Sequence, residues 1–207
     1  MSEKTLIIFT RYPEKGKTKT RLIPAIGAEK AAKIQKLMTE NTLKKAEKLD
    51  PNIRVKIYYA GGNQTLMEEW LGDKWEFIPQ AEGDLGERMF SAIESNFNIT
   101  GMPVIVIGID CQSLTVDFLE KAFLAMDNHD LVIGEAKDGG YYLIGLKEPV
   151  KYLFKNMKWG TNTVYQDTLN IAKNYNLSIF NLPILADIDR PEDLVNLPEN
   201  IENILRM

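Results

Sequence analysis

Val104-Ile105-Val106-Ile107-Gly108-Ile109-Asp110 reads as a buried strand that ends on a carboxylate. Four β-branched residues in a row, with nothing polar between them, suit a strand covered on both faces, the habit of parallel sheets packed between helices. Asp110 falls just past the strand's C-terminal end, where the crevice of an open α/β sheet collects ligands. Working outward, Thr115 can cap a helix with Asp117 in its first turn and Leu119, Ala122, Phe123 and Met126 on one face. Upstream, Leu6–Phe9 is another continuous apolar run. Residues 28–49 carry Ala31, Ile34, Met38, Thr42, Ala46 and Leu49 at helical spacing. Ile53, Val55, Ile57 and Tyr59 alternate as in a half-buried strand. A short helix at 64–71, an extended Trp75–Pro79 and a helix near 85–97 follow. Beyond the central strand come strands at Leu131–Ile133 and Tyr141–Leu146, a helix at 161–175 and a last strand at Ser178–Leu182. This alternation predicts α/β architecture: three layers, doubly wound, with a mainly parallel sheet. No repeat and no Gly/Ser/Pro linker interrupts residues 1–207, so one domain is expected.

Composition narrows the function. Of 207 residues, 44% are hydrophobic and 26% charged, which excludes disorder. One cysteine leaves no disulfide framework and no Cys-rich zinc site, and one histidine makes Ser-His-Asp hydrolysis a poor reading. Met1-Ser2-Glu3-Lys4 leads into an apolar run too short for a signal peptide, and no stretch approaches the ~20 apolar residues that span a bilayer. A soluble, cytoplasmic protein is expected. The net charge of −4 argues against nucleic acid as a partner. The charge is unevenly spread, however. Arg11, Lys15, Lys17, Lys19 and Arg21 face only Glu14 in the loop after the first strand. A solvated loop would explain the run, but its place at a strand end favours phosphate binding.

The loop ends in Gly16-Lys17-Thr18, yet it is not a P-loop. Arg11 stands where the first glycine of G-x-x-x-x-G-K-[ST] belongs, and Pro13 has no N–H for a phosphate cradle. Side chains gripping phosphates are the better reading, and an extended loop would put residues 15, 17, 19 and 21 on one face. Asp187-Ile188-Asp189, after the last strand, offers carboxylates that either cap a helix beginning at Pro191 or meet Asp110 across the sheet. In the second case two acids could hold one Mg2+ or Mn2+ together with phosphate oxygens. Gly83-Asp84-Leu85-Gly86 and Asp138-Gly139-Gly140 are turns beside predicted elements, each too short to be specific. Cys111 reads as a packing residue, His129 as a surface residue, and Trp159 as a core anchor that could also stack on a base or sugar.

Taken together, several pieces resemble the rSAM/selenodomain-associated transferase 1 family of GT-A-fold proteins, usually labelled glycosyltransferases. They are Ile8-Phe9-Thr10-Arg11-Tyr12-Pro13, Lys19-Thr20-Arg21-Leu22, Gly83-Asp84-Leu85-Gly86-Glu87-Arg88, Gly108-Ile109-Asp110-Cys111, Asp138 through Leu146, and Asp187-Ile188-Asp189 before Pro191-Glu192-Asp193-Leu194. Gln112 and Gly160 depart from the family's usual Pro and Ser. The wider superfamily includes the phospholactate guanylyltransferase and the molybdopterin nucleotidyltransferases. The resemblance implies a GT-A, nucleotide-diphospho-sugar transferase type of fold. It aligns Asp110 and the Asp187/Asp189 pair with metal-binding acids, Asp189 being favoured of the two. Lys19 and Arg21, with Arg11 and Lys17, fall in the loop that holds a triphosphate. Gln80 and Gly83 fall where the base is read, and Asp138, Gly139 and Gly140 where the acceptor sits.

The expected activity is metal-dependent nucleotidyl transfer from a nucleoside triphosphate to a small acceptor, with Lys19, Arg21 and Asp110 in catalytic roles. A nucleotide-sugar-dependent glycosyltransferase is the first alternative and a non-catalytic nucleotide-binding protein the second. Glycosyltransferases of this fold usually present Asp-x-Asp at the metal, where Gly108-Ile109-Asp110 has a single acid, and seldom carry such a basic loop. A phosphate or carboxylate acceptor would already be ionised and need no general base, which suits a chain with one histidine.

Overall fold

The computed structural model describes residues 4–199 and 201; Met1, Ser2 and Glu3 of the N-terminal stretch lie outside the described residues. The elements run β1 (Lys4–Arg11), α1 (Ile23–Ala46), β2 (Ile53–Ala60), α2 (Gln64–Leu71), β3 (Glu76–Pro79), α3 (Leu85–Thr100) and β4 (Val104–Ile107). They continue with α4 (Val116–Ala125), β5 (Leu131–Ala136), β6 (Tyr141–Leu146), α5 (Val164–Asn174) and β7 (Ile179–Leu185). Short 3-10 turns occupy Lys151–Leu153 and Pro191–Asn196. The architecture is mixed α/β. Seven strands form one sheet in the order β3-β2-β1-β4-β6-β5-β7. All neighbours pair in parallel except the two pairs made by β6.

The apolar runs of β1 and β4 are continuous because the sheet is buried on both faces. Leu6, Ile8, Ile105 and Ile107 face one core with Ile34 and Met38 of α1. Ile7, Phe9, Val104 and Val106 face the other with Met89 and Ile93 of α3. Fully burying each such side chain contributes about 1.5–3 kcal/mol, so the central strands fix the layer order. Thr115 caps α4 as its sequence suggests, accepting from the Phe118 N–H at 3.3 Å. Asp84 and Glu87 cap α3 reciprocally.

Some boundaries differ from the sequence reading. α1 starts five residues before 28, with Pro24 in its first turn, where a missing N–H costs nothing. Gly27, at φ 80°, then kinks the helix. His129 is half-buried rather than on the surface: its ring packs 5.3 Å from Phe180 and its Nδ1 lies 2.9 Å from the Ala125 carbonyl. Among the described residues no helix is long and apolar enough to cross a membrane.

The topology decides where functional side chains can meet. β1, β4, β5 and β7 all run in one direction, so their C-terminal ends lie along one edge of the sheet. Antiparallel β6 begins at that same edge, with Leu143 opposite Ile107. The loop after β1, Asp110 after β4, the Asp138 turn between β5 and β6, and Asp187–Asp189 after β7 therefore converge, although the first and last lie near opposite ends of the chain.

Candidate functional site

Lys19 is the centre of this convergence. Its side chain is only 4% exposed, and its Nζ lies 2.8 Å from Asp110 Oδ1 and 3.7 Å from Asp189 Oδ1. It also donates to the Ile188 carbonyl at 2.5 Å. A buried ammonium is tolerated only when paired and hydrogen-bonded, and here Asp110 and the Ile188 carbonyl are in close contact while Asp189 adds a longer ion pair. Lys19 thereby ties three strand ends together, helped by the Ile188 N–H, which donates to the Asp110 carbonyl at 3.1 Å. Arg21, 57% exposed, pairs with the other oxygen of Asp189. Asp193 accepts from the Asp189 and Arg190 N–H groups at 3.1 and 2.7 Å. It is therefore Asp193 that caps the Pro191 turn, which leaves Asp187 and Asp189 free of that duty.

Two clefts meet at Asp110 and Asp189. One, of about 490 Å3, is polar: Arg11, Lys17, Lys19 and Arg21 line it, with Gln35 from α1. The other, of about 330 Å3, has aromatic and apolar walls, among them Phe9, Met89, Tyr141, Tyr142 and Trp159. Its polar lining includes Asp138 and Asp187 besides the shared pair, and no Lys, Arg or His among the described residues. Burial, and next the neighbouring Asp138 carboxylate, push the Asp187 carboxyl up to about 6. Among the described residues no group of three or more His, Cys, Asp and Glu side chains forms a metal-ligand array. The acids at the junction number two, bridged by Lys19.

The basic loop is not extended. Hydrogen bonds from Lys17 N–H to the Glu14 carbonyl and from Leu22 N–H to the Lys19 carbonyl fold it into successive turns, with Lys19 at φ 46°. Residues 17, 19 and 21 line the basic cleft from these turns and not along one extended face. Lys15 lies outside the basic cleft, Lys17 pairs with Glu14 at 2.7 Å, and Lys19 turns inward. Arg11 lines the cleft and reaches the Lys17 carbonyl at 3.4 Å.

Gln80 and Gly83 line neither cleft. The Gln80 carboxamide donates to the Thr10 and Tyr58 carbonyls, each at 3.1 Å, and so ties β1 to β2. The Gly83 carbonyl accepts from Arg88 Nε at 2.9 Å. Asp138 and Gly140 do line the aromatic cleft, the Gly140 N–H donating to Asp138 Oδ1 at 2.8 Å. Gly139, between them, stands at φ 87°, and a Cβ there would fall 2.1 Å from the Asn162 carbonyl oxygen. Only glycine fits that turn.

Cys111 is buried, and desolvation raises its thiol well above the ordinary range, so it packs rather than reacts. Trp159 packs edge-on to Tyr141, with ring centroids 6.3 Å apart, and lies against Gly86, so it is both anchor and cleft wall. The buried Gln112 carboxamide donates to the Ile109 carbonyl at 2.7 Å and the Met38 carbonyl at 3.2 Å, which fastens the loop after β4 to α1. Gly160 lines the aromatic cleft at φ 78°.

Sequence reading missed Gln35, whose amide donates to Thr10 Oγ1 at 3.2 Å and the Arg11 carbonyl at 3.1 Å. A polar residue beside Ile34 on an otherwise apolar helical stripe was the signal. It also missed Tyr141 and Tyr142 as cleft walls, since a strand-start position looks the same whether it faces a core or a ligand.

Residues 42–161, more than half of the chain, match the family described as "Uncharacterized protein conserved in bacteria (DUF2064)". No sequence among the curated proteins matches the chain. Among solved structures, a candidate nucleotide-diphospho-sugar transferase from Desulfovibrio desulfuricans G20 is 31% identical, with a TM-score of 0.90 over 100% of this chain and 95% of that one. The inositol-1-phosphate CTP transferase of T. maritima is 15% identical, with a TM-score of 0.58 over 100% and 96% of the two chains. Rv0371c of Mycobacterium tuberculosis, in a complex with manganese, is 10% identical, with a TM-score of 0.59 over 95% and 98%. These likenesses give the fold as that of nucleotide-diphospho-sugar transferases and nucleotidyltransferases. By that family match over more than half of its length, the protein belongs to the DUF2064 family.

Proposed function

We propose that the protein is a cytoplasmic, single-domain transferase of the rSAM/selenodomain-associated transferase 1 group. Its reaction moves a nucleotidyl group from a nucleoside triphosphate to a small acceptor. The observation that carries this reading is the joining of a cation-lined cleft to an aromatic one through Asp110 and Asp189. Triphosphate oxygens arriving in the first cleft meet Arg11, Lys17 and Arg21, and compete with Asp110 and Asp189 for Lys19. Charge-assisted contacts of this kind are about twice as strong as neutral ones.

Mg2+ or Mn2+ fits the residues present. Asp110 and Asp189 are hard oxygen donors that now share one ammonium, and Mg2+ commonly takes one or two carboxylates with phosphate oxygens and waters completing its shell. Asp189 is the better second ligand because it faces both clefts, whereas Asp187 faces only the aromatic one. When bound, the cation would polarise the α-phosphate and orient it. The acceptor's oxygen or nitrogen forms its bond to the α-phosphorus as the bond to the β-phosphate oxygen breaks. Pyrophosphate leaves with the electron pair toward Arg21 and Lys19, and any acceptor proton passes to solvent. Base reading by Gln80 and Gly83 would need the nucleotide to extend beyond both clefts, since neither residue lines one.

Sugar transfer is the second reading, favoured by the description of the Desulfovibrio relative. One experiment separates the possibilities. The protein is incubated with Mg2+ or Mn2+, a panel of nucleoside triphosphates and nucleotide sugars, and a metabolite extract, and products are followed by mass spectrometry. Pyrophosphate and a nucleoside-monophosphate adduct are expected. A nucleoside diphosphate with a glycosylated acceptor would overturn the nucleotidyl reading. Nucleotide binding with no product would leave a non-catalytic binding protein and point to Gln112 and Gly160.

A further inference from the structure

The aromatic cleft carries a charge pattern that narrows its ligand. Four carboxylates reach it, from Asp110, Asp138, Asp187 and Asp189, and among the described residues no cation does. Two of these are compensated from the far side: Asp110 by Lys19, and Asp189 by Lys19 and Arg21. Asp138 and Asp187 have no ion-pair partner among the described residues; Asp138 accepts only a backbone N–H, that of Gly140. A phosphate or carboxylate placed here would face unpaired like charge against low-dielectric aromatic walls, the arrangement by which binding sites reject a ligand. Apart from Thr161 and glycine backbone, the rest of the lining is apolar and partly aromatic. Phe9 and Met89 join Tyr141 and Trp159, whose rings stand edge to face. The Tyr141 hydroxyl lies 3.9 Å from Met89 Sδ, and Tyr142 is held by its hydroxyl, which donates to the Pro183 carbonyl at 2.9 Å. Walls of this kind favour an aromatic or alicyclic body, and their π-faces tolerate positive charge but not negative.

We propose that this cleft takes an acceptor without negative charge, an alcohol or amine carried on an apolar ring-sized body, and not a phosphate or carboxylate. The inference rests on the transferase reading for the word acceptor, but its chemistry comes from the lining alone. The anionic acceptor expected from the sequence, with its single histidine, is thereby replaced. That expectation weighed which groups could remove a proton, and the cleft adds what charge it can admit.

The test uses four probes of one ring: benzyl alcohol, benzylamine, benzoate and benzyl phosphate. Each is titrated into the full-length protein with and without Mg2+, by calorimetry and by tryptophan fluorescence. The Trp159→Phe variant identifies the signal from the cleft. Benzyl alcohol and benzylamine are expected to bind and change Trp159 emission, with benzoate and benzyl phosphate at least about tenfold weaker in both conditions. Asp138→Asn should weaken benzylamine and strengthen benzoate while leaving benzyl alcohol in place. Either anion matching benzyl alcohol, with or without Mg2+, overturns the proposal, and so does binding of none of the four. Because the readout is binding, it fails separately from the transferase reading. Selectivity without turnover would retire the reaction and keep the cleft's chemistry, and turnover onto anionic acceptors would do the reverse.

Discussion

The two clefts that meet at Asp110 and Asp189 are built on opposite plans. The basic one is assembled mostly from one loop: residues 17–21 and Arg11 lie within eleven positions of each other, and only Gln35, Asp110 and Asp189 come from elsewhere. Its cations are held by turns and by ion pairs to acids that a ligand would displace. The aromatic cleft takes its walls from β1, α3, β4, β6 and the segment around Trp159, all parts of packed layers. The first is a charged surface that can rearrange around phosphates. The second is an extension of the core that opens at the sheet edge, with its shape set by packing. On the proposed transferase reading, the difference divides the labour, with the donor end recognised by positive charge and the acceptor end by a packed shape that admits no negative charge.

The largest expected effect tests that division from the charged side. Arg21→Ala should weaken nucleoside triphosphate binding about ten- to a hundredfold, from roughly 1.5–3 kcal/mol for a charge-assisted contact. Monophosphate binding and benzyl alcohol binding should change little, as calorimetry would show. Equal losses for all three ligands would mean that the clefts are one site.

The converse comes from Gly86. A Cβ there would lie 2.5 Å from Trp159 Cζ2 and 2.7 Å from the Phe154 carbonyl oxygen. Gly86→Ala should therefore displace the indole and cost about 1–3 kcal/mol of stability through overpacking. Denaturant unfolding would measure that cost. Benzyl alcohol affinity should fall with it, and triphosphate affinity should hold. An unchanged melt would show that the indole can move freely and that packing does not set the cleft's shape.

The smallest effect sharpens the comparison through pH. Asp187, with its carboxyl raised from 3.8 to about 6 by burial and by Asp138, Asp193 and Asp110 nearby, is held more readily protonated in the folded chain than in the unfolded one. Ionising it opposes folding, so metal-free protein should lose stability as pH rises from about 4 to about 6. Asp187→Asn removes that penalty. Discounted for screening at a half-exposed group, the variant should be about 1 kcal/mol more stable than wild type above pH 6 and no different below about pH 4. Thermal melts across this range in chelator would check it. A variant that is less stable at pH 7 would mean that Asp187 has a cationic partner in solution.

Much of the fold was legible in local pattern. Continuous β-branched runs at 104–107 and apolar residues at 6–9 meant strands buried on both sides, and helical spacing from Ala31 to Ala46 meant an amphipathic helix against them. The site was legible in part. Asp110 could be placed at a strand end because strands end where β-branching stops. The inward turn of Lys19 could not, because charge in a sequence says nothing of burial, and an ammonium goes inside only where distant carboxylates wait for it. Nor could the local run tell that Gln80 would spend its carboxamide on the carbonyls of Thr10 and Tyr58.

What the sequence by itself determined, then, is everything set by neighbours in the chain: periodicity, capping at Thr115 and Asp84, and a dense basic loop after the first strand. Tertiary structure alone decided which carboxylates share Lys19, that Asp193 and not Asp187 or Asp189 caps the last turn, and that aromatic side chains from three segments enclose a space that no cation among the described residues lines. The physical reason is range. Hydrogen-bond and helical periodicities act over a few residues, whereas burial, pairing of buried charge and the shape of a cleft depend on which strands the sheet order sets side by side.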